Sequence, residues 1–172
     1  MTEKETAESL SALLAARSVI NSMNFSALSL NGLDFSGKKM TGCSFSHTVF
    51  TDCIFKNAKI RMSFFDFARF IRCSFENADI QFSCFAGSIF EYSFFTNAEL
   101  LLNNFIGVTA QSSSFNDSDL YSSRFIACTL AHTPFENCNL KKTSFLNNTY
   151  RKVSFKSSNT REAYFSKDGL PQ

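Results

Sequence analysis

Large apolar residues recur along this chain at every fifth position, and what lies between them is mostly small or polar. From Phe25 to Phe165 a phenylalanine occupies every tenth position without a gap. Midway between them run Leu30, Met40, Phe50, Ile60, Phe70, Ile80, Phe90, Leu100, Ala110, Leu120, Leu130 and Leu140, then Tyr150, Thr160 and Leu170. Two positions before almost every member of either series, from Cys43 to Thr143, stands a Cys, Ser, Thr, Ala or Val. A period of five suits neither an α-helix nor a flat strand, so the pattern predicts a tandem repeat rather than ordinary elements. Such a repeat buries its apolar residue only when neighbouring units stack upon it.

The stretch Cys73–Phe82 (CSFENADIQF) and the unit Ala98-Glu99-Leu100 show the motif: a small residue, a polar one, Phe or Leu, then two variable positions. They resemble the pentapeptide-repeat family, and the resemblance runs over residues 23–167. It implies an all-β fold, a right-handed quadrilateral β-helix of about seven coils, in which the central residue and the small one before it point inward. Physical reasoning agrees. Coils stacked at the strand spacing of about 4.8 Å place identical inward positions above one another, and small residues leave room for columns of rings. Seven coils at that rise make a rod about 34 Å long.

Dividing the chain by twenty then assigns four walls. The first carries Phe25, Phe45 and their successors, and the second Leu30, Phe50, Phe70, Phe90, Ala110, Leu130 and Tyr150. Phe35 to Phe155 form the third wall, and Met40, Ile60, Ile80, Leu100, Leu120, Leu140 and Thr160 the fourth. Ala110 beside Val108 predicts a local constriction or a small void. Asn57, Asn77, Asn97, Asp117 and Asn137, each following a third-wall Phe, predict left-handed corners joined by a ladder of side-chain amides. Pro134 requires a position that is unpaired or at a bend.

Residues 1–22 fall outside the repeat. The Thr2–Glu5 spacing and the run of Leu10, Leu13 and Leu14 predict a short amphipathic helix that caps the first coil. The solenoid is expected over 23–167, with a tail at 168–172.

Charge and candidate chemistry change this picture little. The net charge is +2, but no Lys or Arg lies between Arg72 and Arg124, so the rod is expected to be basic, acidic, then basic along its axis. Cys43, Cys53, Cys73, Cys128 and Cys138 occupy the small inward slot, where a reduced thiol packs as a small hydrophobe. No zinc spacing, phosphate-binding glycine loop, Ser-His-Asp set or paired carboxylates can be assembled. His47 and His132 lie on different walls. Neither catalysis, a cofactor nor a metal is expected. There is no apolar run of membrane length and no secretory leader pattern. A reducing cytoplasm is the expected setting, a secreted effector the other.

The expected function is that of a non-enzymatic bacterial protein-interaction scaffold. The Phe- and Cys-rich repeats also resemble family members that protect DNA gyrase from toxins and quinolones, which makes topoisomerase protection the alternative. A docking domain of an effector or larger enzyme is the third reading. Two departures stand out: basic ends unlike a duplex mimic, and no apolar C-terminal dimerisation helix. A nucleic-acid partner is not expected.

For a protein partner, the fourth wall turns outward the column Asp79, Glu99 and Asp119, whose like charges repel by about 1 kcal/mol per pair at coil spacing. Beside it stand Leu101 and Tyr121 in one column and Met62, Phe82 and Leu102 in the next. These eight residues form the expected binding surface. Nothing in 167–172 looks able to cover the last coil. A homodimer through Tyr150, Phe155, Tyr164 and Phe165 is expected there.

Overall fold

The structure, a computed structural model, describes residues 6–167. It is an all-parallel β-solenoid of about seven turns behind one short helix. Every strand pairing joins residues twenty apart, such as Lys39 with Lys59 and Phe50 with Phe70. The fourth-wall strands, Val19–Asn21 through Glu99–Leu101, form one five-stranded sheet. The second-wall strands, Ser29–Asn31 through Thr149–Arg151, form a seven-stranded sheet. On the first wall, single bridges give way to strands from Arg124–Ile126 onward, and these form a three-stranded sheet. The pattern therefore begins at Val19 rather than at Met23.

The backbone between coils is bonded in two directions. Phe25 N donates up to Ser44 O at 2.7 Å, and Ser44 N donates back to Met23 O at 2.9 Å. Later coils repeat the pair of bonds. Sharp corners make the square possible. The residue two past each inward centre has positive φ on all four walls, not on the third alone: His47 (59°), Arg72 (52°), Asn77 (55°) and Phe82 (54°) are examples. Among the described residues the expected amide ladder is mostly absent. In that column Asn137 Nδ2 donates to Asp117 Oδ1 at 2.7 Å, whereas Asn77 turns aside to Glu76. Pro134 sits where its neighbours' amides would bond downward, and the third-wall bridges end at Ser114, one coil earlier.

Inside, the phenylalanines stack as parallel columns. Phe75 and Phe95 lie 4.4 Å apart at 6°, and Phe95 and Phe115 lie 4.6 Å apart at 4°. Phe50, Phe70 and Phe90 wedge between the first and third columns. Where Ala110 replaces them, Phe105 and Phe115 meet edge to face at 5.8 Å, so rings from opposite walls close over the expected gap.

The small slot does more than save volume. Thr48 Oγ1 donates to Phe25 O at 2.7 Å, and Ser88 Oγ to Phe65 O at 2.7 Å. In other slots the amide donates to the side chain one coil on, as Ser63 N does to Ser83 Oγ at 3.1 Å, whereas Thr48 N and Ser88 N close turns on Phe45 O and Phe85 O. Asn103 fills one slot by doing both: its Oδ1 accepts Ser83 N and its Nδ2 donates to Ile80 O. Among the described residues no buried side-chain nitrogen or oxygen lacks a partner.

The first coil has large slot residues instead, Met23, Leu28 and Leu33, packed against the same core as Leu10, Leu13 and Leu14 of the helix Ala7–Ala16. That helix is capped by Thr6 and Ser9 in a reciprocal box, while Thr2 and Glu5 lie outside the described residues. Its far end is held by Lys38, whose ammonium donates to Leu14 O and to Arg17 O, where the helix dipole favours a cation.

At the other end, a 3₁₀ turn at Thr160–Glu162 closes the fourth wall, with Lys142 N bonded to Glu162 O at 2.8 Å. Tyr150, Phe155 and Phe165 stay only partly buried and Tyr164 is exposed. The edge strands Thr149–Arg151 and Tyr164–Phe165 each have a neighbour on one side only among the described residues.

Burial sets the first prediction. Phe95→Ala removes a fully buried ring from the middle of a stack and is expected to cost about 3–5 kcal/mol. Phe165→Ala, at the open end, is expected to cost about 1–2 kcal/mol. Urea melts of the two variants check this, and equal losses would contradict the described core.

Candidate functional site

The outward columns hold whatever recognises a partner, and their chemistry follows from the corner geometry. A side chain on a left-handed corner has its Cβ close to the following carbonyl, which costs roughly 1–2 kcal/mol for any residue but glycine, and least for Asn or Asp. Many corners here carry Gly, Asn, Ser or Ala. Met62, Phe82 and Leu102 do not, although their φ values are 47°, 54° and 58°. They stand above one another at the corner between the fourth and first walls. Solvent reaches 56% of Met62, 56% of Phe82 and 44% of Leu102, so stacking does not hide them.

Two further exposed aromatics extend this ridge onto the first wall: Phe64 and Phe67. The first-wall face also carries the half-buried Cys84, Ala86 and Ile106. Phe67 lies at the next corner, stacked on His47 at 5.1 Å and lying over Gly87, where an added Cβ would fall 2.6 Å from the ring. Gly87 is therefore required by Phe67. Cys84 Sγ donates to Asp66 Oδ1 at 2.8 Å; burial and that carboxylate both push its pKa up, so the thiol is held protonated. The sequence signal for Phe64 and Phe67 is the run Phe64–Phe70, in which four phenylalanines alternate between core and surface. The regular inward series masks the two that face out.

The eight residues expected on the binding surface do lie on adjoining columns, but they are not equivalent. Asp79 is engaged by the Arg61 guanidinium and by Gln81 Nε2 at 2.8 Å. Asp119 Oδ1 accepts from Asn139 Nδ2 at 3.0 Å and from the amide of Tyr121 at 2.9 Å. Arg61, from a neighbouring column, thus offsets the charge of Asp79, while Glu99 and Asp119 meet no cation among the described residues. Glu99 stands between them, exposed, with no side-chain partner among the described residues. Leu101 is half-buried. Tyr121 lies under the Lys142 ammonium, 5.6 Å from the ring centre, and that cation lowers the phenol's pKa through a hydrogen bond. The surface left free is Met62, Phe82, Leu102 and Glu99, widened by Phe64 and Phe67.

Elsewhere, ion pairs link neighbouring coils, two of them between the basic stretch and the acidic one and the third, Arg72 with Asp52, inside the basic stretch. Lys56 meets Glu76 at 3.1 Å, Arg69 meets Glu91 at 2.7 Å, and Arg72 meets Asp52 at 2.7 Å. These pairs are largely exposed and add little stability, but the first two neutralise the boundary between the two zones. The six cysteines are unpaired, and burial pushes Cys128 and Cys138 up to about 11. No group of three His, Cys, Asp or Glu is placed to hold a metal among the described residues, and no helix there is long and apolar enough to cross a membrane.

The corner geometry yields the second prediction. Phe82→Asn exchanges a half-exposed ring for a residue suited to positive φ, so stability is expected to stay within about 1 kcal/mol of wild type or to rise. Thermal melts check it; a loss as large as that of Phe95→Ala would mean that Phe82 carries the fold.

No curated protein matches the chain. Among solved structures, QnrB1, described as a plasmid-mediated fluoroquinolone resistance protein, is similar with a TM-score of 0.71 at 17% identity, over 87% of this chain and 83% of that one. The pentapeptide-repeat protein Rfr23 from the cyanobacterium Cyanothece 51142 matches at 10% identity over 94% of this chain and 96% of that one, with a TM-score of 0.47. At 17% identity the likeness to QnrB1 concerns the fold. The sequence models described as "Pentapeptide repeats (8 copies)" and "Pentapeptide repeat region" match residues 24–57 and 53–91, and 88–165, respectively. With its twenty-residue coils, stacked inward phenylalanines and left-handed corners, the chain belongs to the pentapeptide-repeat family.

Proposed function

We propose that this chain is a non-enzymatic protein-interaction scaffold of a reducing cytoplasm, and that its partner docks on the corner between the fourth and first walls. The observation that carries the reading is the ridge of Met62, Phe82 and Leu102, large apolar side chains held exposed on backbone that disfavours them. Neither local conformation nor core packing accounts for them, whereas an anchoring role does. Glu99 supplies a free charge beside the ridge that selects a partner by complementarity.

The double change Phe82→Ser, Leu102→Ser tests this. Wild type immobilised on beads is expected to capture a discrete partner from source cells; the folded double variant is expected to lose it by at least tenfold. Capture that survives the change removes the site. Protection of a topoisomerase is the second reading, favoured by the fold shared with QnrB1. Its arm of the same experiment is DNA gyrase supercoiling with a quinolone present. Rescue by wild type and not by the double variant would identify the partner.

We also propose end-to-end pairing of two copies through the last coil. The half-buried Tyr150, Phe155 and Phe165, the exposed Tyr164 and the two one-sided edge strands support it. Light scattering is expected to give twice the mass of 19.3 kDa at micromolar concentration. A monomer across that range removes the proposal.

A further inference from the structure

We infer that the occupant of this ridge is a short amphipathic α-helix with a cationic flank, lying along the rod axis; the inference rests on the docking surface proposed above and adds the form and charge of the partner.

Three observations point to it. The first is the state of the backbone. The amides of Phe64, Phe67, Phe82, Cys84, Gly87 and Leu102 all donate to neighbouring coils, so the flank offers no edge to which an extended peptide can add as a strand. A segment laid over apolar side chains must then satisfy its own N–H and C=O groups, and a helix does so internally.

The second is spacing. Met62, Phe82 and Leu102 rise by one coil, about 4.8 Å each, while a helix presents one side chain per turn of about 5.4 Å. The mismatch of about 0.6 Å per step is absorbed over three coils and would be lost over a much longer contact. The ridge has about this length: the corner positions below and above it are Gly42 and Ser122. Between the ridge and Phe67, whose ring already covers Gly87, the first wall presents the half-buried Cys84 and Ala86 at mid-height, so a helix can settle against these small residues.

The third is charge. Arg61 and Gln81 engage Asp79, and Asn139 engages Asp119, while Glu99 stands free beside Leu102. On the opposite side of the strip, Asp66 is the acidic group and it accepts from Cys84. A Lys or Arg on one flank of the helix finds its partner in Glu99. An acidic helix does not.

The test uses synthetic peptides of about fifteen residues, roughly four turns. One carries leucines at i, i+4 and i+7 with lysines along one flank. A second has those lysines replaced by glutamate, and a third has a central proline that breaks the helix. Fluorescence anisotropy against the purified full chain is expected to show the lysine helix binding at least tenfold more tightly than either twin. Glu99→Gln is expected to weaken it several-fold and flatten its salt dependence, and Phe82→Ser, Leu102→Ser to abolish it. Equal binding of the proline twin overturns the helix. Equal binding of the glutamate twin overturns the charge assignment. If cellular capture depends on Phe82 and Leu102 yet the lysine helix does not bind, the surface stands and this inference falls. If the lysine helix binds the double variant as well as wild type, both fall.

Discussion

Hydrogen bonding between coils is the constraint on which everything else in this molecule depends. Amides at the inward centres and the corners donate to the next coil and those just before the centres donate to the previous one, at separations that keep residues twenty apart in register. Register then makes like stand on like. The same inward slot is filled over and over, which is why phenylalanine on phenylalanine at 4.4 Å forms a stable column rather than a packing accident. Slots where the backbone has no strand partner need an oxygen from the next coil, and a small polar side chain supplies it.

The same constraint decides where individuality can reside. Inward positions admit little variation, since every change is felt by two neighbouring coils. Outward positions tolerate most residues, and the corners are the most revealing of these. A left-handed corner selects against a bulky side chain for reasons that have nothing to do with a partner. Met62, Phe82 and Leu102, like Phe67 and Tyr92, therefore depart from a known local preference, whereas an exposed leucine on an ordinary strand says little.

Fold and site were legible in the sequence to different degrees. The period of five, with Phe at every tenth place, specifies coil length, wall assignment and buried residues, because a stacked repeat has only one register that hides them all. Ala110 shows where this fails: the volume it vacates is closed by Phe105 and Phe115 from other walls, which a column-by-column reading does not see. The site was legible as columns but not as pairs. Asp79 and Arg61 differ by eighteen in number and meet only because one side chain crosses diagonally between columns. Phe64 and Phe67 were hidden for the opposite reason, being chemically identical to the core residues between which they lie. The polar duty of the small slot was unreadable from size, since Ser, Cys and Asn103 serve it through atoms whose targets lie in other coils.

A register of twenty also governs how such a chain is able to change over generations. One inserted or deleted residue turns every later side chain out of its column, so drift in length is penalised at once. Loss or duplication of a whole turn keeps every remaining side chain in its column and changes neighbours only at the junction. Inheritance here is quantised: the rod lengthens or shortens by complete turns, and a surface confined to three of them, such as the one centred on Phe82, can be carried intact from a short ancestor to a long descendant.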